Sequence, residues 1–424
     1  MLRESLKYMF LTLAVFCALG LLVLSLVRGL TAPAQSDLAK PLPEVTPMET
    51  PLATPSPSPT PSPTPEPAGY VRDRLIRTVL ESLTPEEKIG QLLMFGFEGK
   101  DAVDEAAKAI AETYYVGNGF LYGGNVESSD PDGGFARAKA LTEQLSTRTV
   151  KNIPPLNAID VEGGSVVRFF WDPWPDSPRS LGRDGGDPEK ARQQFYEIGT
   201  KLIETGFHID FAPVMDVAPS PMDTFLTTRI ISSDTAVASQ VGTAIIEGLQ
   251  EAGCLSTAKH FPGHGGTPGD SHELTPRVDK SLEELRSYDL IPFQAAIDAG
   301  VDAVMVAHIL YPQIDPENIA TLSKPIITDL LREEMGFTGL VISDDFRMKG
   351  ITTQASPEES AVQFILAGGD IILCGPMPER QEAIAKALLA AYESGTLTAE
   401  RLEESVYRIL DAKLDFGDWA RAFE

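Results

Sequence analysis

The chain has 424 residues, a length that allows one or two domains. Its 61 Asp and Glu residues outnumber its 35 Lys and Arg residues, which gives a formal net charge of −26. This charge would repel phosphate backbones, so it argues against a nucleic-acid partner, while it leaves the identity of a neutral ligand open.

Residues 1–30 are dominated by an apolar run, Tyr8–Val27, that basic residues flank on both sides. About twenty apolar residues suffice to cross a bilayer as a helix. We therefore predict a transmembrane anchor or a signal segment at residues 1–30. The signal alternative stays open because Ala32, Pro33 and Ala34 form a small-residue cleavage site, although the run is long for a signal segment.

Residues 31–69 are rich in Pro, Ser and Thr, and residues 56–61 repeat Ser-Pro and Thr-Pro. Such a composition cannot bury a core, so we predict a disordered linker that acts as a semi-rigid spacer, or else a merely disordered tail. An anchor followed by a spacer predicts a cell membrane-anchored protein whose globular part is extracytoplasmic. If the first segment is cleaved, the same order predicts a secreted protein.

Residues 70–424 are predicted to form one globular domain built on eight short apolar runs with β-propensity. The runs are Ile89–Phe97, Gly117–Tyr122, Leu156–Asp160, His208–Val217, Leu255–His260, Ala303–His308, Leu340–Asp344 and Asp370–Cys374. Amphipathic segments of helical period separate most of them, and such alternation favours a parallel sheet. We therefore predict an α/β fold, a single (β/α)₈ barrel of the TIM type. An open doubly wound sheet is the alternative, but no glycine-rich phosphate loop follows Phe97.

Polar and charged residues gather where the predicted strands end. They are Asp160, Glu162, Asp216, Lys259, His260, His308, Asp344 and Asp345. In a (β/α)₈ barrel, the carboxyl ends of the strands form the rim on which active sites are built. A strand that only packs would end in turn residues, so the pattern predicts a functional site at this rim.

Three of the five histidines fall in one Gly- and Pro-rich segment, Lys259–His272, directly after the fifth predicted strand. Loops of this kind on a rigid scaffold carry function. Within the segment, Asp270 lies two residues before His272 and can accept the imidazole N–H, which orients the ring as a general acid and base. A solvated loop pair is the structural alternative.

Two further strand ends carry carboxylates. A buried strand runs into Asp344 and Asp345, and Asp344 is the better candidate for a nucleophile at an anomeric carbon, whereas Asp345 suits a helix cap. Elsewhere, Asp160 and Arg168 flank a glycine pair. Carboxylates accept from hydroxyl groups and arginine donates to them, so this element suits the recognition of sugar hydroxyls. A structural salt bridge between Asp160 and Arg168 is the alternative, and both can hold.

The sequence resembles glycoside hydrolase family 3, in particular its NagZ-type β-N-acetylglucosaminidases. Their diagnostic motif reads Lys-His-(Phe/Ile)-Pro-Gly-(His/Leu)-Gly, four variable residues and Asp-(Ser/Thr)-His, and Lys259–His272 matches it at every fixed position. The resemblance extends over about residues 83–413. It departs from the family pattern at Ser165, where Arg is common, and after Arg229, where two isoleucines stand in place of the usual aromatic residue.

The resemblance implies a role for each matching residue. Asp344 corresponds to the family's nucleophile, and His272, oriented by Asp270, corresponds to its acid/base. The residues that bind the terminal N-acetylglucosamine correspond to Asp160, Arg168, Arg229, Lys259 and His260. The family implies net retention through a covalent glycosyl-enzyme on Asp344, exo action, and chemistry that needs no cofactor and no metal.

Together these features predict a β-N-acetylhexosaminidase that removes terminal N-acetylglucosamine from peptidoglycan fragments or chitooligosaccharides. One alternative is a metal-dependent hydrolase, because His260, His264, His272 and Asp344 have ligand-type side chains, although Lys259 beside them repels a cation. Another is a non-catalytic cell-wall-binding protein on the same scaffold, although a decayed site would be expected to lose part of the loop or Asp344. The oligomeric state stays open.

Overall fold

The computed structural model describes residues 68–126, 133–147, 149–220, 224, 226–265, 275–353 and 355–423. These residues belong to one compact unit, Pro65–Glu424. The predicted anchor or signal segment at 1–30 lies outside the described residues. The predicted linker at 31–69 does so too, except for its last residues, which begin the first helix.

Each of the eight predicted apolar runs overlaps a β-strand; most strands are shorter than the runs, and β5 ends one residue beyond its run. The strands are β1 (Leu93–Gly96), β2 (Asn118–Phe120), β3 (Leu156–Ile159), β4 (Ile209–Asp210), β5 (Thr257–Phe261), β6 (Ala303–Val306), β7 (Leu340–Ser343) and β8 (Ile372–Cys374). All their residues are buried. A strand covered on both faces appears in the sequence as a short continuous apolar run, and this signal located all eight.

Helices separate the strands. They are α1 (Ala68–Ser82), α2 (Pro85–Gln91), α3 (Glu105–Tyr114), α4 (Gly134–Ser146), α5 (Pro178–Leu181), α6 (Pro188–Glu204), α7 (Thr235–Glu251), α8 (Leu282–Ser287), α9 (Leu290–Asp298), a π-helix (Pro325–Glu334), α10 (Lys349–Thr352), α11 (Pro357–Leu366), α12 (Pro378–Glu393) and α13 (Ala399–Lys413). A capping box fixes the start of α2, since Thr84 Oγ1 accepts from Glu87 N and the Glu87 carboxylate accepts from Thr84 N.

The paired strands are all parallel, and they form two sheets rather than one closed sheet. One sheet has the order β4-β3-β2-β1-β8, and the other has the order β5-β6-β7. Isolated bridges connect the two sheets at both borders, from Ile209 to Leu255 and from Val214 to Lys259 at one, and from Ile342 to Ile371 at the other. The predicted single closed (β/α)₈ barrel is therefore wrong, and the structure is an α/β fold with parallel sheets of five and three strands.

Backbone hydrogen bonds cross both borders, and local chemistry explains why the strand pairing is irregular there. Beyond the two residues of β4, Pro213 O accepts from Lys259 N at 3.1 Å, but the Pro213 nitrogen carries no hydrogen and cannot donate to β5 in return. Between β7 and β8, a side chain replaces a backbone acceptor, since Leu373 N donates to Ser343 Oγ at 3.0 Å. A sequence pattern of apolar runs contains neither of these effects, so it overestimated the continuity of the sheet.

The predicted transmembrane helix and the membrane-anchored, extracytoplasmic location also need correction. Within the described stretches of residues 68–423, no helix is long and apolar enough to cross a membrane. The two longest of these helices, α6 and α7, have 17 residues each and pack in the globular unit. On this finding, the membrane location derived from the first segment is not supported.

A buried lysine connects α13 to the start of the first two strands. Lys413 Nζ donates to Gln91 Oε1 at 2.7 Å and to Gly117 O at 3.0 Å. Burial lowers the pKa of Lys413 to about 7, because a charged amine loses its hydration in the interior. These contacts lie at the amino ends of β1 and β2, so they are remote from the polar residues at the opposite ends of the strands.

Candidate active site

A cavity of about 310 Å³ opens at the carboxyl ends of the strands. Six residues predicted from the sequence line it together: Asp160, Arg168, Arg229, Lys259, His260 and Asp344. Parallel strands that lie side by side bring their carboxyl ends to one edge, which is why residues scattered along the chain meet here. An apolar wall is supplied by Phe120, Phe211, Met305 and Leu373.

Lys259 is the centre of a buried ionic cluster, which we define as Asp160, Glu162, Arg168, Arg229 and Lys259. Lys259 Nζ lies 2.8 Å from Asp160 Oδ1 and 2.6 Å from Glu162 Oε1. The lysine side chain is 2% exposed. Burial acts to lower the pKa of Lys259, but the two carboxylates outweigh it and raise this pKa above its ordinary value. Lys259 is therefore held as a cation.

Two arginines complete the ionic cluster. Arg168 Nη2 donates to Asp160 Oδ2 at 3.0 Å, and Arg229 donates to Glu162 through Nε at 2.7 Å and Nη2 at 2.8 Å. Burial raises the pKa of Glu162, but the charges of Arg229 and Lys259 outweigh it and lower the pKa to about 2. Burial likewise opposes ionisation of Asp160, and the charges of Lys259 and Arg168 hold its pKa below the usual range. Both carboxylates are therefore ionised at neutral pH.

His260 is oriented by a buried aspartate. Its Nδ1 lies 2.7 Å from Asp216 Oδ2, and its Nε2 lies 3.3 Å from Arg229 Nη2. A guanidinium can only donate, so Nε2 accepts and the imidazole proton lies on Nδ1, which donates to Asp216. Asp216 Oδ1 also accepts from the backbone N–H of His264 at 2.6 Å. Burial lowers the pKa of His264 to about 4, so this ring is neutral at neutral pH.

The two carboxylates after β7 have different surroundings. Asp344 is half-buried and lines the cavity, and its Oδ1 accepts from Asp345 N at 2.8 Å. The Asp345 carboxylate accepts from Tyr122 Oη and Arg347 Nε, both at 2.7 Å, and from the backbone N–H groups of Arg347 at 2.9 Å and Gly375 at 3.0 Å. Four protein donors thus hold Asp345, which makes it an anchor of the wall rather than a reacting group.

Two predicted residues are not placed by the structure. Asp270 and His272 lie outside the described residues, so the roles predicted for them stay predictions. The metal-dependent alternative included His272 as well. Among the side chains that the structure describes, no three or more His, Cys, Asp and Glu are arranged to hold a metal ion.

Four residues belong to the site although the sequence predicted no catalytic or binding role for them: Glu162, Asp216, Tyr122 and Arg347. Glu162 and Asp216 carried a usable signal, because both are carboxylates at predicted strand ends. Nothing local marks Tyr122 or Arg347. Tyr122 and its partner Asp345 are separated by 223 residues, and the Arg347 guanidinium lies 4.1 Å from the centre of the Tyr122 ring.

Comparisons with known proteins agree on one family. The chain matches the family model described as the glycosyl hydrolase family 3 N terminal domain over residues 84–412. It is 30% identical over 372 residues to the β-hexosaminidase A of Pseudoalteromonas piscicida, an alignment that covers 78% of this chain and 61% of that protein. It is 33% identical over 328 residues to a β-hexosaminidase of Chromobacterium violaceum, covering 76% and 87% respectively.

A solved structure is similar as well, that of a glycoside hydrolase family 3 β-N-acetylglucosaminidase from Paenibacillus sp. str. FPU-7. The likeness has a TM-score of 0.73 at 37% identity and covers 78% of this chain and 62% of that one. This chain therefore spans about three fifths of the length of the Paenibacillus and Pseudoalteromonas proteins.

Proposed function

The chain belongs to glycosyl hydrolase family 3 and is a glycoside hydrolase, and from this premise we propose that it is a retaining exo-β-N-acetylglucosaminidase. The family resemblance predicted from Lys259–His272 is confirmed by the family match and the relatives. We assign the activity to residues 70–424, which contain the whole matched range. The substrates that we propose are peptidoglycan fragments and chitooligosaccharides that end in N-acetylglucosamine.

One observation carries the proposal: Asp344 lines the same cavity as the ionic cluster and His260. A carboxylate there can attack an anomeric carbon. The cavity volume of about 310 Å³ is near the lower limit of roughly 300–1,000 Å³ for small-molecule sites, which suits one terminal sugar and so favours exo action.

We assign sugar binding to the charged residues of this cavity. The proposed binding residues are Asp160, Arg168, Arg229, Lys259 and His260. Their mutual ion pairs fix them before a ligand arrives, so they need no rearrangement to meet sugar hydroxyls. Hydrogen bonds between hydroxyl groups and ionised partners are stronger than those between neutral groups, which suits the capture of an uncharged sugar.

Two displacements at one anomeric carbon account for net retention. In the first, Asp344 attacks the carbon while His272 protonates the leaving oxygen, and a covalent glycosyl-enzyme forms on Asp344. In the second, His272 takes a proton from water, the water oxygen attacks the carbon, and the bond to Asp344 breaks. Asp270 orients His272 in both steps. The assignment of Asp270 and His272 rests on the loop sequence alone.

Release of 4-nitrophenol from its β-N-acetylglucosaminide tests the proposal. The chain should cleave this substrate and leave the matching β-glucoside intact. Asp344→Asn should lower kcat by roughly 10⁴-fold or more, as loss of a catalytic nucleophile does elsewhere, with an unchanged melting temperature. Asp298→Asn, the same change at an exposed position of α9, is the matched control and should keep full activity.

Three results would contradict the proposal. Folded protein that cleaves neither sugar would refute glycosidase activity on these substrates. Equal activity of Asp344→Asn and the parent chain would refute the nucleophile. A first product of inverted anomeric configuration, seen by NMR early in the reaction, would refute retention.

A further inference from the structure

A second cavity, of about 380 Å³, shares no lining residue with the active-site cavity. The segment after β3 contributes Phe170 and Trp171 to it, α6 contributes Tyr196, and α4 contributes Phe135. We call this surface the aromatic groove.

The rings of the aromatic groove rest on a packed base. Phe135 stacks on the buried Phe169 with ring centres 4.5 Å apart, and it meets the edge of Trp171 at 5.4 Å. Beside this base, Phe170 and Tyr196 leave 37% and 40% of their surface exposed. Exposed aromatic surface adds little to folding, so its concentration in one concave place indicates a ligand site.

Polar groups at the edge of the aromatic groove restrict the class of ligand. Asp172, Glu197 and Glu204 supply carboxylates, and Lys201 is ion-paired with Glu204 at 3.1 Å. A sugar ring offers an apolar C–H face to an aromatic ring and hydroxyl groups to carboxylates. Three carboxylates against one lysine repel an anionic polymer or lipid surface, which leaves an uncharged glycan as the best match.

The aromatic groove and the active-site cavity draw residues from the same stretch of chain after β3. Phe170 follows Arg168 by two residues, so their Cα atoms are at most about 7.6 Å apart. Trp174, 47% exposed, donates its indole N–H to Gly164 O at 2.8 Å. Gly164 lies between Glu162 and Arg168, which both line the active-site cavity. The two cavities are therefore built on one continuous segment of chain.

We propose that the aromatic groove is a second glycan site, which binds an uncharged polymer of β-linked N-acetylhexosamine outside the active-site cavity. The choice of this sugar rests on the proposed function. The polymer binds along the groove, whereas a small substrate occupies the active-site cavity alone. Loss of the groove therefore weakens retention on the polymer and leaves turnover of a small substrate unchanged.

Retention of the full chain on insoluble chitin tests this site, with excess free N-acetylglucosamine present to occupy the active site. Tyr196→Ala should lower the retained fraction by about fivefold or more through loss of a stacking surface, and alanine suits the helix α6. Tyr115→Ala is the matched control, since Tyr115 is also 40% exposed but lies just before β2, at the amino ends of the strands. Both variants should keep kcat/KM on the nitrophenyl sugar within about twofold.

Equal retention of Tyr196→Ala and the parent chain would overturn the second site, and so would a parent chain that chitin does not retain. If Tyr196→Ala melts at a lower temperature, Phe170→Ala removes the other exposed ring of the groove and decides the question by the same comparison. Retention that depends on Tyr196 without release of nitrophenol would support the groove and refute the proposed function. Release of nitrophenol without retention on chitin would support the proposed function and refute the second glycan site.

Discussion

Glu162 offers the sharpest test of how the ionic cluster is held. Its carboxylate accepts from Arg229 at 2.7 and 2.8 Å and lies 2.6 Å from Lys259 Nζ, and its side chain is 1% exposed. Glu162→Gln keeps the size but removes the charge, so two buried cations lose their shared partner. Removing one partner of a buried pair costs about 3–5 kcal/mol. Lowering the pKa of Glu162 from 4.5 to about 2 corresponds to about 3 kcal/mol of folding free energy. This value agrees with the cost expected for removing one partner of a buried pair.

Urea unfolding at two pH values measures this effect. At about pH 7, Glu162→Gln should lose about 3 kcal/mol of unfolding free energy, whereas Glu247→Gln, at an exposed position of α7, should lose less than about 0.5 kcal/mol. The folded-state pKa of Glu162 is depressed, so its contribution is complete above about pH 4.5 and disappears as the pH falls to about 2. The difference in unfolding free energy between Glu162→Gln and the parent chain should therefore be smaller by about 1.4 kcal/mol at about pH 3.5 than at about pH 7. A loss at neutral pH no larger than that of Glu247→Gln would refute the reasoning.

Three further predictions follow from single contacts. Burial lowers the pKa of Lys413 from 10.5 to about 7, so the unfolded chain binds more protons between these values and stability rises with pH across this window. Lys413→Met should flatten that rise in urea midpoints compared at about pH 7 and about pH 9.5, and an undiminished rise would contradict it. Asp216→Asn removes the charged acceptor of the His260 imidazole. It should lower kcat/KM on the nitrophenyl sugar by about 10- to 100-fold, as expected for loss of a hydrogen bond to a charged group. Activity within about twofold of the parent would count against this role of Asp216. Tyr122→Phe removes one of four donors to Asp345 and should lower kcat by about tenfold with little change in KM, because the Asp345 N–H contacts Asp344. A change confined to KM would assign Tyr122 to substrate binding instead.

The strand ends were predictable because buried parallel strands leave a simple trace. Each is a short apolar run, and the first polar residue after it lies at the carboxyl edge of the sheet. This trace located Asp160 and Asp344, which line one cavity. It failed where one apolar run included residues of both a helix and a strand. Ile89 was assigned to the first strand but belongs to α2, since a helix also buries an apolar face and short runs do not distinguish the two.

The partners within the site were less accessible to sequence reasoning. Lys259 and Asp160 are 99 residues apart, and only the neighbourhood of β3 and β5 in space pairs them. Tyr122 donates its hydroxyl hydrogen to Asp345, and no local feature of the sequence around Tyr122 predicts this contact. The division into two sheets involves a two-residue strand and Ser343 acting as an acceptor, and neither has a signature in the pattern of apolar residues.

The sharing of Lys259 between two carboxylates limits how the site can change over evolutionary time. Any single replacement in the ionic cluster leaves a buried charge with too few partners, so a stepwise exchange of pairs passes through intermediates that are several kcal/mol less stable. The floor of the cavity can be rebuilt only by simultaneous changes. Phe170 and Tyr196 are exposed and have no such constraint, so each can be exchanged alone. Preference among polymers can therefore diverge between related proteins much faster than preference for the terminal sugar.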